Sequence, residues 1–160
     1  MIILGIDPGT AIVGYGVIEI KAKGKTPGCL AYGSIQTNPK ELMPNRLKTI
    51  YQELEKIIKK YRPDIMAVEN IYFFKNLKTA MPVSQAKGVI LLAAAQKNIP
   101  VKEVTPMQVK MTVVGYGKAE KQQVQKMVKL LLNLKEIPKP DDVADALAVA
   151  LCCPSLDKRF

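Results

Sequence analysis

The chain has 160 residues, 48% of them apolar, and carries 24 basic against 14 acidic side chains for a net charge of +10. This size and composition suit one globular domain over 1–160 with a real core, and they exclude a disordered polyelectrolyte. The absence of histidine excludes a Ser-His-Asp triad and His-based zinc sites, while the basic excess points to an anionic partner, nucleic acid first.

In chain order, the apolar run 1–6 predicts a buried strand that ends on Asp7, with Pro8-Gly9 as turn chemistry. Strands are predicted over 14–20 and 30–37, joined by a turn at 24–28. Leu47, Ile50, Tyr51, Leu54, Ile57, Ile58 and Tyr61 then recur at helical spacing, and Pro63 closes that helix. A short strand over 64–69 ends on Glu69. A helix over 82–97 would hold Pro82 in its first turn, where proline is tolerated. A strand over 99–104 is followed by Thr105-Pro106, a helix start with Thr as cap. Gly115-Tyr116-Gly117 interrupts this helix, which resumes around Val124, Met127, Val128 and Leu131. Pro138-Lys139-Pro140 is a stiff linker before a last helix over 141–153. Three meandering strands followed by alternating helices and strands imply an α/β fold. Its sheet is mixed and five-stranded, three antiparallel strands then two parallel, flanked by helices.

Cys29, Cys152 and Cys153 form no CxxC pair and read as small apolar residues of a reducing compartment. The longest strictly apolar run, 89–95, is too short to span a bilayer, and no basic region precedes the first apolar stretch. The expectation is a cytoplasmic protein without a membrane partner.

Three acidic sites stand at the edges of core elements: Asp7, Glu69, and the group Asp141, Asp142 and Asp145. A buried unpaired carboxylate is costly, so a shared cation is a natural reason for them. Each has a plainer explanation: Asp-Pro-Gly as a turn, Glu69 as a solvated strand end, Asp141 as a helix cap. Asp145 resists that treatment, lying a turn inside the helix before an apolar continuation. Asp142 and Asp145 share a face at i,i+3, as do Asp141 and Asp145 at i,i+4. Carboxylates alone select hard cations, Mg2+ or Mn2+, and a pair of such ions cuts phosphodiesters. A basic protein with an acidic notch fits a nuclease.

Several stretches together carry a family resemblance. They are Ile3-Leu4-Gly5-Ile6-Asp7-Pro8-Gly9-Thr10 with Gly14-Tyr15-Gly16-Val17-Ile18, Ala67-Val68-Glu69-Asn70 with Lys75-Asn76, Ser84-Gln85-Ala86-Lys87-Gly88, Gln108-Val109-Lys110, Thr112-Val113-Val114-Gly115 with Ala119-Glu120-Lys121, and Asp142-Val143-Ala144-Asp145-Ala146-Leu147-Ala148. In this order they resemble the RuvC family of Holliday junction resolvases over nearly the whole chain.

The resemblance implies a ribonuclease H-like fold and a metal-dependent endonuclease, with Mg2+ or Mn2+, two ions per site, held by Asp7, Glu69, Asp142 and Asp145. Asp141 is an extra acid that leaves the third ligand open between it and Asp142; the Asp-x-x-Asp-Ala-Leu spacing favours Asp142. It also implies a homodimer on a four-way DNA junction, pairing through the helix around 84–95, and a RuvA-RuvB branch-migration complex as partner. Lys110 and Lys121 match basic positions of the family; with Lys118 they surround the glycine break and could grip phosphates, or form an ordinary solvated face. Tyr72 matches an aromatic position and could stack on unpaired bases beside Lys75, with Phe73 or Phe74 at least partly core.

Two other readings fit parts of the chain. Asp-x-Gly-Thr at 7–10 also opens ATPases and phosphotransferases of the actin and sugar-kinase type, although no second glycine-rich phosphate loop follows. A non-catalytic junction-binding protein would share the charge.

Overall fold

The computed structural model describes residues 1–21, 26–70 and 77–155. Five strands, β1 (Ile2–Asp7), β2 (Ile12–Glu19), β3 (Gly28–Gln36), β4 (Ile65–Glu69) and β5 (Val101–Val104), form one sheet in the order β3-β2-β1-β4-β5. β1 pairs antiparallel with β2 and parallel with β4; β2 pairs antiparallel with β3, and β4 parallel with β5. This is the mixed sheet expected, with the two acid-tipped strands as central neighbours.

Alternation along the strands sorts their side chains onto two faces. Leu4, Ile6, Met66 and Val68 pack in one apolar cluster with Ile50, Leu54 and Ile58 of α1 (Met43–Tyr61) and Ala86, Ile90, Ala93 and Ala94 of α2 (Leu77–Gln96). Ile3, Ile65 and Ala67 belong to the opposite cluster, with α3 (Pro106–Val114), α4 (Lys121–Leu131) and α5 (Asp141–Ser155). Residues 3, 5 and 7 therefore face α5, as do 65, 67 and 69.

α5 lies directly on β1 and β2 because glycines leave it room. A Cβ on Gly5 would stand 2.2 Å from the Ala146 carbonyl oxygen, and one on Gly14 would stand 1.9 Å from that of Asp142. α3 and α4 cover its other side through Val109, Val113, Val124 and Val128. A helix apolar on nearly every side is stable only when enclosed in this way.

The helix ends follow local chemistry. Arg62 closes α1 in the left-handed region (φ 47°), its N–H donating to the Ile58 carbonyl. Thr105 and Gln108 form a capping box at the start of α3, as the Thr-Pro signal predicts.

Two expectations are corrected. α2 begins at Leu77, so Pro82 sits inside the helix rather than in its first turn; the cost is one missing N–H donor. The segment around Gly115 is not one interrupted helix but two. Gly115 (φ 79°) caps α3, and a second box, Glu120 with Gln123, starts α4 afresh. Of the turn predicted at 24–28, residues 24 and 25 lie outside the described residues, and Gly28 already belongs to β3. No described helix is long and apolar enough to cross a membrane.

Candidate active site

Asp7 and Glu69 end two parallel strands held side by side, Ile6 opposite Val68. Both acids face α5, whose first turn carries Asp141 and Asp142. The Gly14 contact brings the Asp142 backbone onto β2 at the position paired with Asp7. Asp145 follows one turn later, and its neighbours Ala144 and Ala146 are fully buried.

The electrostatics are those of acids crowded in a half-buried site. Burial, and then the charges of Glu69, Asp145 and Asp142, push the Asp7 pKa up to about 8. Glu69 is pushed up to about 7, by burial first and then by Asp145, while Lys121, a hydrogen bond with Asp7 and Lys110 pull against the rise. Burial also raises Asp145, opposed by Lys121 and assisted by Asp142 and Asp141. Glu69, Asp145 and Asp142 thus make Asp7 harder to ionise, and Asp145 does the same to Glu69.

Lys121 answers part of that charge. Its Nζ lies 2.9 Å from Asp145 Oδ2 and 3.5 Å from Asp141 Oδ2. Burial works against the Lys121 ammonium, but hydrogen bonding and charge from Asp145, then Asp141, outweigh it and push its pKa up. Gln125 donates from Nε2 to Asp141 Oδ1 at 3.1 Å. Asp141 thus belongs with Lys121 and Gln125, whereas Asp142 acts on Asp7. Among the described residues no three carboxylates are gathered as tightly as a bound ion would hold them. Asp145 is paired with Lys121, and Asp7 with Glu69.

A cavity of about 220 Å³ opens over the cluster, lined by Glu69, Asp145, Lys110 and Lys121 with Pro106, Val109 and Val124. Asp142 opens on its other side into a cavity of about 420 Å³ bounded by Pro8 to Ile12, Pro82 and Val83. A larger cavity, about 670 Å³, lies between Ile58, Arg62, Pro63 and Ile99 at the other end of the strands, away from the acids.

The structure therefore brings Asp7, Glu69, Asp142, Asp145, Lys110 and Lys121 to one end of the sheet. Lys118 is exposed, three positions before Lys121 in the chain. Tyr72, Lys75, Phe73 and Phe74 lie outside the described residues. Sequence reasoning missed two supporting groups. Gln125 stands one helical turn after Lys121, a spacing that could have marked it. Lys87 donates to Asn70 Oδ1 at 3.0 Å and pairs with Glu103, tying the end of β4 to α2 and β5; nothing in its local pattern signals this.

The fold and the acids invite comparison with known nucleases. Residues 3–153 match the family described as "Crossover junction endodeoxyribonuclease RuvC". A protein of that name from Heliobacterium modesticaldum is 60% identical over 153 residues, covering 96% of this chain and 93% of the relative. One from Desulforamulus reducens is 60% identical over 160 residues, covering 100% and 97%. Among solved structures, Thermus thermophilus RuvC in complex with Holliday junction substrate superposes with a TM-score of 0.89 at 38% identity, covering 95% of this chain and 92% of that one. Thermus thermophilus RuvC alone gives 0.88 at 37% identity with the same coverage. With likeness of this extent in both sequence and fold, the chain belongs to the RuvC family of crossover junction endodeoxyribonucleases.

Proposed function

We propose that the chain is a metal-dependent endonuclease that resolves four-way DNA junctions by paired phosphodiester hydrolysis in recombination and repair, with Asp7, Glu69, Asp142 and Asp145 as its catalytic, metal-holding acids. One observation carries the reading. Alternation along β1 and β4 turns Asp7 and Glu69 toward the helix whose first two turns bear Asp142 and Asp145. The relatives' name and the solved complex with Holliday junction substrate indicate the substrate class.

The donor chemistry, rather than a ready-made ligand cage, suits a hard divalent cation. The donor set is carboxylate only, which suits Mg2+, with Mn2+ as the substitute. Burial and mutual repulsion raise Asp7, Glu69 and Asp145, and added positive charge reverses that effect. When bound, two such ions supply an activated water and stabilise the leaving oxygen.

The chain's own residues do the rest. The strand ends fix Asp7 and Glu69, and the N-terminus of α5 favours the charges of Asp142 and Asp145. Asp142, not Asp141, is the third ligand in this reading, because Asp142 acts on Asp7 while Asp141 is held by Lys121 and Gln125. Lys110 and Lys121 on the cavity wall hold the backbone phosphates, Lys118 adds charge along the same path, and Tyr72 and Lys75 grip the crossover.

A four-way junction has pseudo-two-fold symmetry, so the working unit is a homodimer with one site per cut strand. The pairing surface is the exposed stripe of α2, where Met81 and Leu92 are 69% and 52% exposed and a Cβ on Gly88 would meet nothing within 4 Å. A RuvA-RuvB complex is the branch-migration partner by family resemblance, and the protein works as a single cytoplasmic nuclease domain.

The test is a labelled synthetic junction incubated with the protein, with and without magnesium. Paired nicks that require the ion are expected, with linear duplex left intact. A junction that is bound but uncut under every divalent ion would instead make the protein a binding module.

A further inference from the structure

Lys121 is placed unlike a lysine that only grips DNA. Its ammonium sits between two carboxylates, 2.9 Å from Asp145 and 3.5 Å from Asp141. The two acids differ. Asp145 has a side chain 24% exposed and belongs to the acid cluster, where it raises both Asp7 and Glu69. Asp141 is 62% exposed, at the rim. So exposed a carboxylate would rotate freely, yet the amide of Gln125 holds it. Gln125 is itself only 9% exposed and sits one turn after Lys121 on the same helix. A buried side chain is thus committed to keeping a surface acid aimed at this lysine.

We propose that Lys121 is a displaceable internal cation: it neutralises Asp145 while no divalent ion is present, and moves its pairing to Asp141 when an ion takes Asp145. This rests on the reading of Asp145 as a metal ligand. It accounts for the acid that the family pattern does not require, since Asp141 is where the displaced ammonium is kept, on the exposed side of Lys121. It also links the ligands. A backbone phosphate that draws Lys121 outward lowers the competition at Asp145, so DNA strengthens metal binding and metal strengthens DNA binding by the same factor.

The experiment is a Mn2+ titration of the DNA-free protein, read by electron paramagnetic resonance. Lys121 and Asp141 are half exposed or more, and circular dichroism checks that each variant is folded. Lys121→Met is expected to tighten Mn2+ binding about fivefold, the size of one partly exposed ion pair. Asp141→Asn is expected to weaken binding, because the ammonium then has Asp145 alone. The decisive quantity is the cycle: Lys121→Met should tighten binding more in the Asp141→Asn background than in the unmodified chain. Independent background charges would give additive effects, and additivity overturns the exchange, as does a Lys121→Met variant with unchanged or weaker affinity. Asp145→Asn separates the two readings. If it leaves Mn2+ affinity intact, the ligand assignment itself fails; if it weakens binding while the cycle is additive, only the exchange fails.

Discussion

α5 and α2 are alike on paper and opposite in their surroundings. Both are long, largely apolar and contain a proline. α5 is sealed: Val143, Ala144, Leu147, Ala148, Val149 and Ala150 are wholly buried between the sheet and α3 and α4. α2 buries Ala86, Ile90, Ala93 and Ala94 but leaves Met81 and Leu92 in the open. The difference lies in the sheet. Gly5, Gly14 and Gly16 admit α5 to backbone contact, whereas Leu4, Ile6, Val13 and Val17 stand between the sheet and α2. Small residues select the enclosed helix, and enclosure fixes the acids at its start.

The largest expected effect is at the strand tip that faces the start of α5. Asp7→Asn should lower junction cutting by about a thousandfold or more, the scale of losing metal-centred charge stabilisation, while junction binding is kept or tightened because one charge that repels phosphate is gone. Cleavage and gel-shift assays on the same junction check both. Cutting that survives this change would remove the acids from the mechanism.

Next is the packing of α5. Gly14→Ala should destabilise the protein by about 3 kcal/mol, the cost of overpacking against rigid backbone, read from urea unfolding. The matched change in α2, Gly88→Ala, meets open space within a single chain and should add up to about 1 kcal/mol of helix stability to the dissociated protomer, measured at dilution. Equal effects at the two sites would erase the contrast.

Third, Leu92→Glu should weaken dimerisation about thirtyfold, as expected for an apolar anchor, with the fold retained. Sedimentation at several concentrations decides this. An unchanged association state would move the pairing surface elsewhere.

The subtlest contrast is pH dependence, because Asp7 and Glu69 act on one another and a hydrogen bond between them offsets part of the rise at Glu69. Asp7 titrates near 3.8 when unfolded and about 8 when folded, and Glu69 near 4.5 and about 7. In the window between these values the folded state binds more protons than the unfolded one, so stability falls as pH rises. The metal-free protein should therefore melt several degrees lower at pH 8 than at pH 5. Mn2+ should remove much of that difference, and Asp7→Asn should flatten it.

Much of this was legible beforehand. The runs that end on Asp7 and Glu69 announce buried strands with an acid at the tip, and strand alternation fixes which way each acid turns. Thr105-Pro106 announces α3. The start of α2 was not legible, because a proline signals a first turn more strongly than an interior position, and only packing against the sheet and α1 makes the interior place tolerable. The partnership of Lys121 with Asp145 and Asp141 was equally hidden. It joins side chains twenty or more positions apart through α4 packing on α5, and no periodicity encodes such a meeting. The Asp-x-x-Asp-Ala-Leu spacing already favours Asp142 over Asp141, and the hold of Gln125 on Asp141 and the contact at Gly14 support the same proposal.

β1 sets the direction of Asp7 by parity alone. Removing one residue anywhere between Ile2 and Ile6 while the pairing with β4 is held would swing that carboxylate to the α1 and α2 side of the sheet. With Asp7 as the proposed metal-holding acid, cutting is expected to depend on the length of the first strand, and exchange among its buried apolar residues is expected to cost less than insertion or deletion.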